Sequence, residues 1–412
     1  MKKLLVLFFV CGQLMAQDKT IFTNLTLQNC IDLAYARNQE IKIAKLEEQQ
    51  TIINKRTSSE IPKVAVLYTQ GQFNSIYKFD NSVTVTQTIP FPSAFGANKK
   101  LANASIEQSQ YKTKATEADV IYRVKLAYYS LQHHYAVRAL LLKEDSIYKV
   151  FVDGEKEKFK QGKASLLEIS ISENKTFEIA NLKYENEEAI VNHKSELQRL
   201  MQTSESITIK SEELKPLWIN YETDSSALAK HPYLLFYNKQ IDVATKTKLS
   251  EKNKMFPDVT FGYTNLSIYG PANIGTGEYF LNTSRRLSVI GAGLNFQLWM
   301  RPYRAKLQSL ELQKDISNSI YESQLMVFKS ELDQNLKLYN LYEESINAFD
   351  KATSTNYQQI IRETFESFKK GEINNVDYLT IVSTALSTET HHIQAIHQNN
   401  LAYLRINYLM QK

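Results

Sequence analysis

The sequence predicts a mainly α-helical fold with a smaller β component and an internal duplication, in which long helices pack as antiparallel coiled coils. Residues 97–153, 163–215 and 303–370 contain neither glycine nor proline, the residues that most often interrupt helices. Apolar residues recur within these segments at alternating spacings of three and four, as in a coiled coil. The stretch FKQGKASLLEI around Gly162 also has a counterpart, FKKGEINNVDY, around Gly371.

The first 17 residues, MKKLLVLFFVCGQLMAQ, have the layout of a secretory signal peptide. Two lysines precede a short apolar run, and the small residue Ala16 lies at the expected cleavage point. The apolar run is too short to span a bilayer. Cys11 follows Val10 rather than a small residue, which disfavours lipidation. We therefore expect an exported chain in which Cys30 is the remaining cysteine, so no disulfide can form within the chain.

The charge of the chain is nearly balanced. It carries 49 basic and 44 acidic residues, with a formal net charge of +5. This balance does not favour nucleic acid as a partner, and the sequence has no basic patch with interleaved aromatic residues. The 24 Tyr and 19 Phe favour either large coiled-coil surfaces or aromatic belts at a membrane interface.

Glycine, proline and periodicity divide the chain into two similar repeats. For the first repeat, residues 18–203, the predicted elements are a helix over 26–60, a β-hairpin over 63–92, a long helix over 98–160 and a helix over 165–203. For the second repeat, residues 224–412, they are a helix over 224–255, a β-hairpin over 257–300, a long helix over 303–369 and a helix over 373–410. Pro62 and Pro257 occupy the same helix-to-strand junction, and residues 204–223 link the repeats.

Each long helix carries an apolar seam with one polar exception. The first seam comprises Ile121, Val124, Tyr128, Leu131, Tyr135, Arg138 and Leu142, and the second comprises Leu325, Phe328, Leu332, Asn335, Tyr339, Tyr342, Ile346 and Phe349. A four-helix bundle uses the same pattern, but its helices are normally shorter. The pattern therefore favours coiled coils.

Four segments alternate with a period of two, which is typical of strands: residues 64–73, 82–91, 259–270 and 287–299. In the last, Ile290 and Leu294 face one side while Gly291 and Asn295 face the other. Strands of this length with one apolar face suit a transmembrane β-barrel. Four strands cannot close a barrel, so several chains would have to contribute. The alternative is a small soluble sheet.

Gly162 and Gly371 are each predicted to lie just past the end of a long helix. Glycine adopts the left-handed conformation cheaply there, and the preceding Lys160 and Lys369 suit the helix dipole. Each turn would fold the next helix back along the long one. A helix over 303–370 would be about 100 Å long, which places the turns at the tip farthest from the strands.

The duplicated order of helix, hairpin, long helix and helix, with its signal peptide and glycine turns, resembles the TolC-like outer-membrane efflux family. QGKASLLEI and KGEINNVDY resemble the family's turn, in which glycine and a hydrophobic residue are followed by an acid and an aliphatic residue. LAYARNQEI and LAKHPYL resemble its paired repeat openings, although the first lacks the proline. WMRPYR (299–304) departs from the Asp-Gly-Gly turn that many members have after the strand.

The resemblance implies a homotrimer whose twelve strands form one β-barrel in the outer-membrane lipid of a Gram-negative bacterium, with an α-barrel of helices in the periplasm. It also implies an exit duct for efflux or secretion, which works with a periplasmic adaptor (membrane fusion) protein and an inner-membrane pump of the RND or ABC type. Residues 204–223 would belong to a belt around the middle of the tunnel. A periplasmic coiled-coil adaptor or scaffold without a pore is the alternative.

No sequence motif indicates covalent catalysis or a bound cofactor. Gly275 and Gly277 begin like a dinucleotide fingerprint, but Phe280 stands where its third glycine would be. His391 and His392 are adjacent and face different sides of a helix, and His397 is too far along to lie one turn away, so we expect no metal site. His133 and His134 are adjacent in the same way.

The candidate functional residues lie at the two turns. The residues predicted to dock the adaptor are Gly162, Leu166, Leu167, Gly371 and Val376. The residues predicted to form a negative ring at the periplasmic entrance are Glu168, Glu372 and Asp377, with Asp377 favoured by the resemblance. Such a ring would favour cations. The alternative is that these acids stabilise helix N-termini.

Overall fold

A computed structural model of the chain describes residues 22–72, 80–162, 165–210, 212–221, 224–267, 270–274, 277–281, 286–353 and 357–411. The predicted signal peptide and Cys11 lie outside the described residues, as do Gly275 and Thr276.

The described helices follow the predicted order. They are α1 (Leu27–Arg37), α2 (Gln39–Asn54), α3 (Pro92–Lys160), α4 (Leu166–Met201), α5 (Pro232–Asn253), α6 (Met300–Thr353), α7 (Tyr357–Lys370) and α8 (Asn375–Met410). Short 3₁₀ helices cover Lys55–Ser59 and Ser225–Lys230. The strands are β1 (Phe22–Leu25), β2 (Ala65–Gln70), β3 (Asn81–Ile89), β4 (Ile207–Ile209), β5 (Asp258–Ser267), β6 (Gly270–Ile274), β7 (Gly277–Leu281) and β8 (Arg286–Asn295).

The helix predicted over 26–60 is divided at Asn38. The backbone of Asn38 is extended, and its side-chain oxygen accepts hydrogen bonds from the Glu40 and Ile41 amides at 2.8 and 3.4 Å. These bonds satisfy two amides that the first turn of α2 leaves without a helical partner. Asn38, within LAYARNQEI, therefore begins a second helix.

The long helices also differ from their predicted bounds. Helix α3 begins at Pro92 instead of residue 98, because proline fits the first helical position, where no amide hydrogen is needed. Helix α6 begins at Met300, with Pro302 in its first turn. The segment predicted as one helix over 303–369 is described as α6 and α7, on either side of residues 354–356, which lie outside the described residues.

The two predicted hairpins belong to one sheet. Its strand order is β2-β3-β5-β8, and each neighbouring pair is antiparallel. Strands β3 and β5 pair from Ser82 with Leu266 to Ile89 with Val259, so the pairing joins the two repeats. Strands β6 and β7 form an additional antiparallel ribbon between β5 and β8, within the predicted hairpin over 257–300. Strand β4, in the segment between the repeats, pairs in parallel with β1.

The chain divides into two compact units. The first, here called the tip unit, comprises Met1–Arg37, Val124–Lys215 and Phe349–His397, and contains both glycine turns. The second, here called the sheet unit, comprises Asn38–Arg123, Pro216–Ala348 and Gln398–Lys412, and contains the four-stranded sheet.

Each unit has its own apolar core. In the tip unit the buried cluster comprises Leu140, Tyr148, Phe151, Ile179, Tyr378, Val382, Leu386 and Ile393. In the sheet unit it comprises Leu228, Leu234, Phe328, Leu332, Tyr339, Ala402, Ile406, Leu409 and Met410. Phe328, Leu332 and Tyr339 of the second predicted seam belong to the core of the sheet unit. Val124, Tyr128 and Leu131 of the first predicted seam are buried outside these two clusters.

The first seam is wrong at its C-terminal end. Leu142 is exposed, while Leu140 and Leu141 are buried. A straight helix drifts by about 20° per heptad relative to a strict seven-residue repeat. A seam continued over several heptads from Ile121 therefore moves onto neighbouring residues.

Among the helices that the structure describes, none combines the length and the apolar character needed to cross a membrane.

Candidate functional site

The first glycine turn begins where α3 ends. Gly162 has a φ of +70° and its amide donates to the Phe159 carbonyl at 2.8 Å. Ser165 then caps α4: its hydroxyl accepts from the Glu168 amide at 3.3 Å, and the Glu168 carboxylate accepts from the Ser165 amide at 2.7 Å. This reciprocal pair is a capping box, and it fixes the start of the returning helix.

The second turn has the same backbone form. Gly371 has a φ of +77° and its amide donates to the Phe368 carbonyl at 3.0 Å. Helix α8 is capped by Asn374, whose side-chain oxygen accepts from the Asp377 amide at 2.8 Å. Both glycines are left-handed, which is the conformation that the two repeated motifs predict.

The aliphatic residues predicted to dock an adaptor are exposed. Leu166, Leu167 and Val376 have 66%, 70% and 60% of their surface accessible. Exposed aliphatic side chains beside a turn contribute little to the fold and are available to a partner. Their docking role stays a prediction.

The predicted entrance acids have different environments. The amide and hydroxyl of Ser165, with a smaller effect from the Asn375 amide group, lower the pKa of Glu168. Asp377 lies in the first turn of α8, where a negative charge is favourable to the helix dipole. Glu372 is exposed just before that helix. Glu168 therefore serves the helix start, and a ring of these acids stays a prediction.

A groove opens beside both turns within the tip unit. Its volume is about 390 Å³, and its lining includes Tyr148 of α3, Glu168 and Ile171 of α4, and Val376 and Leu379 of α8. Two of the predicted site residues, Glu168 and Val376, are thereby brought to one surface. The sequence placed them in different repeats and gave no distance between them.

Sequence reasoning missed a buried acid close to the second turn. Glu155 is fully buried, and its carboxyl oxygens lie 2.9 Å from Lys158 Nζ and 2.5 Å from the side-chain nitrogen of Asn375. The second contact ties the end of α3 to the start of α8. Glu155 lies in the charged run GEKEKFK, where nothing in the sequence distinguishes it from its exposed neighbours.

An aromatic cluster lies beside this contact. The ring of Tyr378 stacks on Phe151 at 4.8 Å and lies 4.7 Å from Phe368. The ammonium of Lys158 lies 4.0 Å from the centre of the Phe368 ring, a favourable cation–π distance. Tyr378 therefore joins the second turn to the core of the tip unit.

The sheet has two chemically different faces. Paired residues of antiparallel strands face the same side of a sheet. The register therefore groups a mostly apolar set on one side, here called the apolar face: Val66, Tyr68, Val83, Val85, Ile89, Val259, Phe261, Tyr263, Ile290, Ala292 and Leu294, with Gln70 and Gln87 on the same side. The other side, here called the hydroxyl face, contains Ser82, Thr84, Thr86, Thr88, Thr260 and Thr264, the glycines 262, 291 and 293, and the aliphatic residues Leu67, Leu266, Leu287 and Val289.

The apolar face is accessible in the single chain. Ile290 and Leu294 have 84% and 62% of their surface exposed. On the hydroxyl face, the Thr84 and Thr264 hydroxyls lie 3.1 Å apart, and the Thr88 and Thr260 hydroxyls lie 3.0 Å apart. Four hydroxyls of the hydroxyl face are therefore paired with each other, although Leu67, Leu287 and Val289 on that face are exposed. The apolar face presents a larger uncovered apolar surface.

A polar band closes one end of the apolar face. The Arg286 guanidinium donates to the Asn81 side-chain oxygen at 2.8 Å and also to the side chain of Asn265. The Tyr263 and Ser288 hydroxyls lie 3.0 Å apart in the same band. An apolar surface bordered by polar and tyrosine side chains is typical of strands that meet a membrane interface.

The three histidines of α8 have different surroundings. His391 is exposed, and His392 stacks on Phe349 with ring centres 3.7 Å apart. His397 instead approaches His133 of α3. Within the described part of the chain, no group of three or more His, Cys, Asp or Glu residues is arranged to hold a metal ion.

Comparison with solved structures identifies the fold. The chain matches CusC, whose crystal structures concern transmembrane channel formation, with a TM-score of 0.76 and 12% identity over 95% of this chain and 93% of that chain. It matches the Campylobacter jejuni CmeC outer membrane channel with a TM-score of 0.76 and 15% identity over 93% and 85% of the two chains. The chain has the TolC-like fold. The outer membrane protein VceC of Vibrio cholerae gives a TM-score of 0.76 and 14% identity over 93% and 95%.

A scan of protein-family models finds no match, and a search of curated proteins finds none either. The predicted fold class, mainly α with β and with the TolC-like order of elements, is nevertheless confirmed by structures that share 12 to 15% of residues with this chain. The fold is retained at an identity where few individual residues are.

Proposed function

We propose that the chain is one subunit of a homotrimeric outer-membrane channel, the exit duct of a multicomponent efflux or secretion system. The observation that carries the proposal is the four-stranded sheet, which has an exposed apolar face and ends in strands β2 and β8. Each of these has one neighbouring strand within the described chain. In water such a sheet leaves its apolar face uncovered, and in lipid it leaves its two edge strands without hydrogen-bond partners.

Three copies would complete it. Strand β8 runs antiparallel to β2. Strand β8 of one copy can therefore pair with β2 of the next copy, and neighbouring strands stay antiparallel throughout. Three sheets joined in this way give a closed barrel of twelve strands with no unpaired edge, as lipid requires. The apolar face would contact outer-membrane lipid, and the hydroxyl face would line the lumen.

The glycine turns would form the periplasmic entrance. Exposed Leu166, Leu167 and Val376 supply apolar contacts for a periplasmic adaptor protein, while Gly162 and Gly371 hold the turns that present them. An inner-membrane pump of the RND or ABC type would supply the energy, and the duct itself would conduct passively. The entrance would open by a shift of the helix pairs at the turns, which breaks the hydrogen bond from Asn375 to Glu155.

Native mass and location test the proposal first. The protein is extracted from the outer-membrane fraction in mild detergent and its mass is measured without denaturation. Three chains per particle in that fraction are expected. A soluble periplasmic monomer would instead favour the alternative, a coiled-coil adaptor or scaffold without a pore.

Cysteine pairing tests the shared barrel directly. Leu67→Cys on β2 is combined in turn with Val289→Cys, Gly291→Cys and Gly293→Cys on β8, because the register between copies is not fixed by one chain. One combination is expected to give disulfide-linked dimers and trimers on a denaturing gel, since facing residues of paired strands lie within disulfide range. Single variants provide the control, and the native Cys30 is buried. Absence of linked species in all three combinations contradicts the β2–β8 junction.

The entrance ring is tested by conductance. Asp377→Asn is expected to reduce the preference for cations in bilayer recordings, because three copies would surround one opening. Unchanged selectivity with unchanged conductance would remove Asp377 from the ring and leave it as a helix N-terminal acid.

A further inference from the structure

Four histidines from three helices meet inside the tip unit. His133 and His134 belong to α3, His193 to α4 and His397 to α8. The rings of His133 and His397 are stacked with centres 4.0 Å apart. His134 lies 5.0 Å from His133 and 5.2 Å from His193. These four residues are here called the histidine cluster.

Hydrogen bonding fixes one member of the cluster. The Asn186 side-chain nitrogen donates to the His134 carbonyl at 3.0 Å, so its side-chain oxygen is the acceptor facing His134 Nδ1 at 2.8 Å. His134 Nδ1 therefore carries a proton and donates it, which ties α3 to α4. The Nδ1 atoms of His133 and His397 are buried and have no hydrogen-bond partner.

Few acidic groups act on the cluster, so little negative charge is available to compensate the positive charge of protonated histidines. The groups that act electrostatically on His133 and His397 are other histidines of the cluster, and Glu196 acts on His193. Several charged groups close in sequence to the cluster, or in the segment between the repeats, make contacts elsewhere. Among them are Arg138, which pairs with Glu187 at 3.6 Å, Lys194, which lies 5.8 Å from the ring of Tyr135, and Glu212, which acts on Tyr128.

Burial, followed by repulsion within the cluster, opposes protonation of these rings. It lowers the pKa of His133 to about 3 and that of His397 to about 4, and it lowers the pKa of His193. Their pKa values are thus lower in the packed helices than in an opened chain, where histidine titrates near 6.5. The opened chain then binds more protons, so the packing is fully stable above about pH 6.5 and loses stability as the pH falls toward 4 and then 3.

We propose that the histidine cluster is an acid-sensitive contact that releases α8 from α3 and α4 as the pH falls below about 6. The stack of His133 on His397 explains why acid would separate these helices. Protonation of both rings would place two positive charges 4.0 Å apart in a buried position. Separation of α8 from α3 relieves that repulsion and gives both Nδ1 atoms access to water. The inference does not depend on the channel function.

Hydrogen–deuterium exchange of the full chain in detergent tests this switch. Peptides covering residues 128–138 and 392–402 are compared at pH 7.5 and pH 5.0 after correction for intrinsic exchange rates. The protection factors of these peptides are expected to be at least about tenfold lower at pH 5.0 than at pH 7.5. A tenfold change in the opening equilibrium corresponds to a shift of one pKa unit. Peptides from β3 and β5 serve as an internal reference. Equal protection at both pH values in the cluster peptides would overturn the proposal.

Variants separate the cluster from general acid effects. His397→Gln removes the titrating ring and keeps a polar side chain, and His133→Phe with His397→Leu replaces the stack by apolar groups. Both are expected to reduce the acid-induced loss of protection at least about threefold. His391→Gln, an exposed neighbour outside the cluster, should behave as wild type. If the double variant does not fold at pH 7.5, His397→Gln decides alone, and a loss equal to that of wild type would overturn the proposal.

Discussion

The two glycine turns share a backbone and differ in what surrounds it. Both glycines are left-handed, and both are followed by a capped helix. Four residues after the glycine, the first turn has exposed Leu166 and the second has Asn375, bonded to buried Glu155. Seven residues after it, the first turn has Ile169 and the second has Tyr378, which stacks in an aromatic cluster.

This difference shows what the duplication retains. A left-handed glycine and an N-cap are required by any tight turn between antiparallel helices, so both repeats keep them. The contacts that fasten the turn to its surroundings are not required by the turn itself. In the tip unit the second turn has the bond from Asn375 to Glu155 and the aromatic contacts of Tyr378, while the first turn has exposed Leu166 at the position of Asn375.

The largest expected effect comes from the position seven residues after each glycine. Tyr378→Ala should lower the free energy of unfolding by about 3–5 kcal/mol, because the buried ring packs against both Phe151 and Phe368. Ile169→Ala, the matched change in the first repeat, should cost about 2 kcal/mol, since its smaller side chain leaves a smaller cavity. Denaturant unfolding followed by circular dichroism measures both. Equal losses would remove the proposed asymmetry of the core.

The next effect concerns the polar contact that only the second turn makes. Asn375→Leu copies the residue of the first repeat and should destabilise by about 1–3 kcal/mol, because it removes a hydrogen-bond partner from the buried Glu155. The reciprocal change, Leu166→Asn, alters an exposed side chain and should stay within about 0.5 kcal/mol of wild type. A loss of similar size in both variants would mean that the Glu155 contact is not what fastens α8.

The glycines themselves should respond alike. Gly162→Ala and Gly371→Ala should each cost about 1–2 kcal/mol, because an added Cβ meets no atom within 4 Å and the cost is the left-handed backbone alone. Gly154→Ala, inside α3 and equally uncrowded, should instead stabilise by about 0.5–1 kcal/mol. Thermal unfolding of the three variants checks this contrast in sign. A stabilised Gly162→Ala would show that the first turn tolerates another conformation.

The smallest effect is a pH dependence at the first turn. Donors from Ser165 lower the pKa of Glu168, so its carboxylate stabilises the fold above its ordinary pKa near 4.5, and this contribution is lost as the pH falls through the lowered value. The stability difference between wild type and Glu168→Gln should therefore shrink between pH 7 and pH 3.5. Thermal unfolding of wild type and Glu168→Gln at both pH values measures it. A difference that stays constant would mean that the capping box does not depend on ionisation.

Local sequence patterns predicted most of the helices, strands and turns of this protein. The predictions that failed also have local causes. The glycine turns, the long helices and the period-two strands follow from residue spacing, which reports on a few neighbouring residues at a time. The missed break at Asn38 is also local, because a polar side chain that caps α2 competes with continuation of the helix. The exposed Leu142 reflects the gradual drift of a straight helix away from a strict heptad.

Tertiary structure alone decided the contacts between the repeats. Pairing of β3 with β5 merges two predicted hairpins into one sheet, and the bond between Asn375 and Glu155 turns an ordinary charged residue into a buried one. His133 and His397, which lie far apart in the sequence, stack because α3 and α8 pack together. By itself the sequence determined which segments are helices, strands and turns, since those depend on backbone preference and periodicity. Which distant segments touch depends on how the elements pack, and residue spacing within one sequence does not encode it.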